Sequence, residues 1–355
     1  MNRKSFLKSV VSTGVGSLIL NKGFASPTNE VGGAAPVIIP PYLKAGDTIG
    51  ITCPAGAVDL ATMECCCYAL EKWGLNVKLG KTVGKRWQRF AGTDQERLED
   101  FQELLDDETV KAIIFGKGGY GTMRIIDKIN WDKFKKQPKW LVGYSDLTVV
   151  HLHVHSNLNI CTIHGNMSNG FSDDPYDAAA LSLYQVLFGD KTEYSLKSFE
   201  MNRTGSASGI LVGGNLTLVN ACTASKSDIN TNGKILLIED VREFKYNIDR
   251  MMMSLKRSGK LDKLAGLVVG EFTASRNDEE DTFDMRIEDI IYDKVKEYDY
   301  PVCFHFPAGH IADNRALKIG MNYELRVGRE MATLEETVME TPSGSVVTGS
   351  NISVN

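Results

Sequence analysis

Leu141-Val-Gly-Tyr-Ser-Asp-Leu-Thr148 is the stretch from which the fold can be read. The apolar run through Leu141 and Val142 is the end of a buried strand. Leu147 to about Asn157 has helical character. Gly143-Tyr-Ser145-Asp is therefore a sharp turn between a strand and a helix. Such a turn projects the Ser145 hydroxyl outward, beside the unpaired N–H groups of the helix start. A nucleophile next to an oxyanion-binding pair of amides suits acyl transfer. The hydrolase pattern Gly-x-Ser-x-Gly is incomplete, because Leu147 holds the second glycine position. A simpler reading is that Ser145 or Asp146 caps the helix.

The flanking segments repeat the strand–helix alternation. Asp47–Cys53, Asn76–Leu79 and Val110–Phe115 read as strands, and Leu60–Trp73 reads as a helix. Thr93-Asp-Gln-Glu96 has capping-box spacing and opens an amphipathic helix to about Leu105. A further helix is expected around Thr122 to Ile129. This βαβα order implies a parallel sheet covered by helices, with functional residues at the carboxyl ends of its strands. Gly116-Lys-Gly-Gly-Tyr-Gly121 follows one such end. Its glycines turn N–H groups toward an anion, either a phosphate or an oxyanion or substrate carboxylate. The Walker pattern is absent.

The second half begins after Ser172–Ser208, which lacks clear periodicity and is expected to cross between domains. It starts at Gly209–Asn215, and strands are expected at Lys234–Ile238, Leu264–Gly270, Pro301–Phe304 and Tyr323–Val327. Asn247 to Arg257 reads as a helix. Glu239 and His310 each stand beyond a short apolar strand. The order Ser145…Glu239…His310 matches nucleophile, acid and base in one group of hydrolases.

The chain has 355 residues, 43% of them hydrophobic, and a net charge of −5. That size suits two domains, and the acidic balance argues against nucleic acid as a partner. No eighteen-residue apolar run implies a stable membrane span. Asn2-Arg-Lys4, an apolar stretch from Val10 to Leu20 and Gly23-Phe-Ala25 read as a signal peptide cleaved after Ala25. The Lys4 position leaves both the twin-arginine and the Sec route open. The organisation is then leader 1–25, linker 26–41, α/β nucleophile domain 42–171, crossing 172–208, C-terminal domain 209–345 and tail 346–355. The expected location is exported and periplasmic, and a homodimer is left open. The seven cysteines lack metal-site spacing and read as small buried hydrophobes. Of His151, His153 and His155, only the first and last share a helix face, and no third ligand completes a metal site.

Taken in order, several motifs resemble one family. They are Phe90-Ala-Gly-Thr-Asp-x-x-Arg97, Gly118-Gly-Tyr-Gly121, Gly143-Tyr-Ser-Asp-Leu-Thr148, Ile163-His-Gly165 and Gly213-Gly-Asn-Leu216. Ile238-Glu-Asp240 with Tyr246-x-Ile-Asp-Arg250, Phe306-Pro-x-Gly-His310 and Ile319-Gly320 follow. The set resembles the serine LD-carboxypeptidases, the muramoyl-tetrapeptide carboxypeptidase family that also contains microcin C immunity peptidases. The resemblance implies an N-terminal doubly wound parallel-sheet domain, a smaller β-rich C-terminal domain and a cleft between them. It implies Ser145 as nucleophile, His310 as base, Glu239 as the orienting acid, and an oxyanion hole from Asp146 and Gly119. Gly118, Lys117, Tyr246 and Arg250 are candidate substrate contacts. A peptidoglycan-derived peptide is the implied substrate, with no cofactor and no metal. Rival readings are a serine amidase of the microcin immunity type and a non-catalytic wall-peptide receptor. Lys117 stands where the family usually has arginine, Ala221–Ala224 departs from the usual residues after Gly-Gly-Asn, and the export signal is unusual for wall-recycling members.

Overall fold

The computed structural model describes residues 37–274 and 284–337. The leader, most of the linker, the acidic run Asp278–Asp281 and the tail lie outside the described residues. Five strands form the first sheet in parallel: β1 (Thr48–Thr52), β2 (Asn76–Leu79), β3 (Val110–Phe115), β4 (Trp140–Gly143) and β5 (Thr162–His164). Their spatial order is β2-β1-β3-β4-β5. This is a doubly wound arrangement, whose ligand crevice lies outside the carboxyl ends of the strands. The central strands carry apolar residues on both faces because helices cover both. Ile113 and Phe115 of β3 enter one core, and Ala112 and Ile114 enter the other.

Helices α1 (Glu64–Lys72), α2 (Asp94–Asp106), α3 (Asp132–Lys136), α4 (Thr148–Leu158) and α5 (Ala178–Phe188) accompany this sheet. Helix α2 starts where its capping box says. The Glu96 N–H donates to Thr93 Oγ1 at 3.3 Å, and the Thr93 N–H donates to Glu96 Oε2 at 2.8 Å. Phe101, Leu104 and Leu105 are buried beneath it, each contributing about 2 kcal/mol of apolar burial. Gly50 of β1 permits that packing, since a Cβ there would come 3.1 Å from Leu104 Cδ1.

The second sheet contains β6 (Glu193–Lys197), β7 (Gly205–Asn215), β8 (Ile235–Glu243), β9 (Gly266–Ala274), β10 (Val302–Cys303), β12 (Asn322–Val327) and β13 (Met331–Glu336), in the order β10-β9-β8-β7-β12-β13-β6. Strands β7 to β10 pair in parallel, and β7-β12-β13-β6 pair antiparallel. Helices α6 (Leu216–Ala221), α7 (Lys245–Arg257) and α8 (Ile287–Val295) belong to this half. Strand β11 (Leu317–Ile319), from late in the chain, pairs antiparallel with β5. It covers an edge that would otherwise present unpaired amides. At the start, Ile38 forms a parallel bridge with Ile160, so the described end of the linker is tied down.

Several expectations need correction. The helix expected around Thr122 to Ile129 is two short 3-10 turns, Thr122–Arg124 and Ile126–Lys128. Ile125, at φ −120°, breaks the helical path between them. Ser172–Ser208 contains α5 and β6. Ala178-Ala-Ala-Leu-Ser-Leu-Tyr-Gln-Val-Leu-Phe188 is apolar on nearly every side, so it has no amphipathic period to detect. Glu239 does not follow its strand; it lies within β8.

Candidate active site

Ser145 has φ +63°, a left-handed conformation that a residue with a Cβ adopts at a cost. The local sequence explains how the turn is held. His151, one helical turn into α4, reaches back with Nε2 2.8 Å from the Gly143 carbonyl oxygen, and its Nδ1 lies 2.8 Å from Thr162 Oγ1 on β5. It pins both strands beneath the turn. Burial pushes its pKa down to about 4, so it acts as a neutral hydrogen-bonding group. Gly143 leaves room for the turn, because a Cβ there would lie 3.0–3.1 Å from Phe115 and Leu147.

The glycine loop after β3 leans against the serine. A Cβ on Gly118 would stand 3.0 Å from Ser145 Oγ and 3.3 Å from the Asp146 nitrogen. Gly119, at φ +100°, has nothing within 4 Å on its side-chain face. The Asp146 carboxylate is buried and accepts the Thr122 N–H at 2.9 Å, which ties the loop's end to the serine turn. Burial raises its pKa. Arg97, fully buried, binds the neighbouring loops together. Its guanidinium donates to the carbonyls of Pro54, Gly121 (3.0 Å) and Gly92 (3.3 Å), and pairs with Asp94 at 2.5 Å. The Phe90–Arg97 motif is thus a bracket for the loops at the sheet's carboxyl end.

Glu239 and His310 come from the second sheet. His310 Nε2 lies 3.0 Å from Ser145 Oγ, and His310 Nδ1 lies 2.8 Å from Glu239 Oε2. The imidazole is 19% exposed and the carboxylate 0%. Glu239 sits where the β8–β9 register shifts; two residues of β9, Gly270 and Glu271, are skipped there. Such bulges re-aim side chains. A Cβ on Gly270 would lie 2.5 Å from the Ala308 carbonyl oxygen and 3.1 Å from Glu239 Cβ. One on Gly309 (φ +120°) would lie 2.8 Å from Glu239 Oε2. Two bare glycines therefore let the His310 loop settle on the acid. Asn314 Oδ1 fixes that loop by accepting the Gly309 N–H at 2.8 Å. The Tyr144 ring lies 4.9 Å from the imidazole.

A second row of bonds docks one half on the other. The Asn215 N–H donates to Thr148 Oγ1 at 3.0 Å, just past the serine turn. Its side-chain amide donates to Asp240 Oδ1 at 3.0 Å, and Asp240 Oδ2 accepts from Thr217 N and Oγ1 at 2.9 and 2.8 Å. Nothing in the sequence assigns these roles to Arg97, His151, Thr148, Asn215, Asp240 or Asn314. Gly213 and Gly214, both at positive φ, mark a tight passage at β7 and were the available signal for Asn215.

Ser145, Glu239 and His310 are therefore brought together, with Gly118, Gly119 and Asp146 beside them. Lys117 is exposed on the glycine loop and makes no ion pair among the described residues. Tyr246 and Arg250 stand on the first turns of α7, the helix that follows the Glu239 strand. Arg250 stacks over the Tyr246 ring at 5.4 Å and bonds Asn247, and neither is hydrogen-bonded to the triad. The other histidines point apart: His153 toward Ser227 at 3.0 Å, His155 toward Lys234 at 2.8 Å. All seven cysteines are free thiols, five of them buried.

Comparison with known proteins agrees with this architecture. Residues 49–165 match the LD-carboxypeptidase N-terminal domain, and residues 208–325 match the LD-carboxypeptidase C-terminal domain. A probable murein peptide carboxypeptidase of Bacillus subtilis is 35% identical over 306 residues, spanning 85% of this chain and 95% of that protein. The crystal structure of muramoyltetrapeptide carboxypeptidase from Oxalobacter formigenes superposes with a TM-score of 0.73 at 26% identity, covering 81% of this chain and 98% of that one. The microcin C7 self immunity protein shares the fold, with a TM-score of 0.76 at 20% identity over 85% of this chain and 99% of its own. With both of its domains matched and a close relative covered almost end to end, this chain belongs to the serine LD-carboxypeptidase family.

Proposed function

We propose that the protein removes the terminal D-residue from murein tetrapeptides through an acyl-enzyme on Ser145. The observation that carries this reading is the hydrogen-bonded row Ser145–His310–Glu239 on a serine held at φ +63°. His310 Nε2 takes the Oγ proton as the hydroxyl attacks the carbonyl that joins an L-centre to the terminal D-residue. Glu239 accepts the Nδ1 proton's hydrogen bond, fixes the tautomer and stabilises the imidazolium. The tetrahedral oxyanion is received by the N–H groups of Asp146 and Gly119. His310 then protonates the departing amine. Water, deprotonated by the same imidazole, releases the shortened peptide. The match to proteins named for murein peptides supports the substrate class.

Two further parts of the reading rest on sequence. Residues 1–25 act as an export signal, so the enzyme works on wall fragments outside the cytoplasm. N-terminal sequencing of the native protein tests this: a start near Ser26 is expected, and a chain beginning at Met1 or Asn2 would refute it. The activity itself is tested by mass spectrometry of stem peptides ending in L,D- or L,L-linked residues. Release of D-Ala from the L,D-peptide alone is expected. Equal cleavage of both would favour a broader amidase.

A further inference from the structure

The glycine loop has a neighbour that the proposed reaction does not use. Trp87-Gln-Arg-Phe90 is a two-residue hairpin, closed by Trp87 N–H to Phe90 O at 2.8 Å and Phe90 N–H to Trp87 O at 3.0 Å. Its tip is strained: Gln88 has φ +55°, where glycine is favoured. The hairpin is built into the site by backbone. The Ala57 N–H donates to Arg89 O at 3.2 Å, Gly56 bridges to Phe90, and the Gly56 N–H donates to Gly118 O at 3.0 Å. Gly118 in turn lies against Ser145. Above this frame the rings of Trp87, Phe90 and Tyr120 run side by side, with centroids 6.0 and 5.8 Å apart. Trp87 and Tyr120 are 43% and 41% exposed, a large apolar investment left facing solvent beside a nucleophile.

Charge singles out one residue in this rim. Arg86 pairs with Asp59 at 3.1 Å, Lys85 with Glu96 at 3.0 Å, and Arg124 with Asp94 at 2.8 Å. Arg89 and Lys117 are exposed and have no carboxylate partner among the described residues. Arg89 offers a planar fork of donors that fits a carboxylate with two parallel bonds, whereas Lys117 offers a point charge. Its field also reaches the active site, where it opposes the burial that raises the Asp146 pKa.

We infer that the Trp87–Phe90 hairpin and Tyr120 form a specificity subsite in which Arg89 binds the free α-carboxylate of the substrate's terminal residue. The assignment rests on the carboxypeptidase reading and sharpens it. The aromatic rims exclude water around the ion pair, and Lys117 adds a second, less directional charge. The strained tip keeps Arg89 presented before substrate arrives, which lowers the ordering cost of binding.

The test compares two stem peptides that differ only in a terminal carboxylate or carboxamide, using the full-length enzyme and its R89A, R89K and K117A variants. Circular dichroism checks that each variant is folded. In R89A the preference for the free acid should shrink by roughly 10- to 100-fold, mainly through KM, the scale of a lost charged hydrogen bond. R89K should recover part of that preference, and K117A should lose less of it than R89A. An acid-to-amide preference unchanged in R89A would overturn the assignment, as would an equal loss of kcat on both peptides. Wild-type enzyme inactive on both peptides would bring down the carboxypeptidase reading itself, and this assignment with it.

Discussion

The two sheets contribute to one site in different ways. The first supplies Ser145 through local structure: a buried strand ending at Gly143, a turn at φ +63° and a helix starting at Thr148. The second supplies Glu239 and His310 through packing. Glu239 is aimed by a register shift against β9, and His310 rides on a loop that closes over Gly270 and, through the bare Gly309, onto Glu239. A nucleophile can be built by a short strained segment, because strain is a property of adjacent dihedrals. An acid–base pair 71 residues apart in sequence can be built only by contacts.

The largest way to test this contrast is to remove the chemistry from each side. Ser145→Ala and His310→Ala should each lower turnover by on the order of 10⁴-fold or more. Their stabilities should diverge. Loss of the imidazole leaves the buried Glu239 carboxylate unpartnered and should lower Tm, whereas Ser145→Ala should not. Glu239→Gln should cost somewhat less activity than either. Near-normal turnover in Ser145→Ala would refute the mechanism.

A second substitution perturbs only the packing. Gly270→Ala or Gly309→Ala leaves every triad residue in place but drives a methyl group into Glu239 or the Ala308 carbonyl. We expect a loss of about 1–3 kcal/mol in stability, by denaturant melts, and a clear fall in kcat. An equally placed methyl on the other side, at Gly119, meets nothing within 4 Å. Gly119→Ala should act mainly through its φ of +100°, with a smaller structural cost and a larger effect on oxyanion binding.

The first half also carries a pH dependence. Burial pushes the pKa values of His151 and His155 from 6.5 down to about 4. The unfolded chain therefore binds more protons below pH 6.5. Stability should be full above that value and decline as pH falls toward about 4. Urea melts across that range should show the decline, on the order of a few kcal/mol. His151→Gln should make the decline shallower and leave the share of His155. A slope identical to wild type would mean the imidazole is not held neutral.

The smallest effect concerns strain alone. Ser145→Gly removes the Cβ from a left-handed residue and should raise stability by up to about 1 kcal/mol, read as a higher Tm in an inactive protein. No gain would mean that the turn is not a stored cost.

Much of the first half was legible in the sequence because its signals are local. Val110–Phe115 forms β3 over the expected residues, and Thr93 and Glu96 cap α2 as their spacing requires. Helix α5 was missed because an almost wholly apolar helix has no period. The helix expected near Thr122 fails at Ile125, whose φ of −120° breaks the helical path between two 3-10 turns. The bonds that hold the site, from Arg97 to the Pro54 and Gly121 carbonyls and from Asn215 to Thr148 and Asp240, join segments 24 to 67 residues apart in sequence.

The sequence by itself determined the parallel α/β half, the strand–turn–helix at Ser145 and the identities of the candidate acid and base. Apolar runs, caps and glycines act on their immediate neighbours, so their consequences can be read in order along the chain. Only the tertiary structure decided that Glu239 lies inside a strand rather than after it, and that His310 bridges it to Ser145 at 2.8 and 3.0 Å. It also decided that β11 closes the first sheet. Those outcomes depend on which backbones approach closely enough to touch, and sequence spacing does not encode that distance.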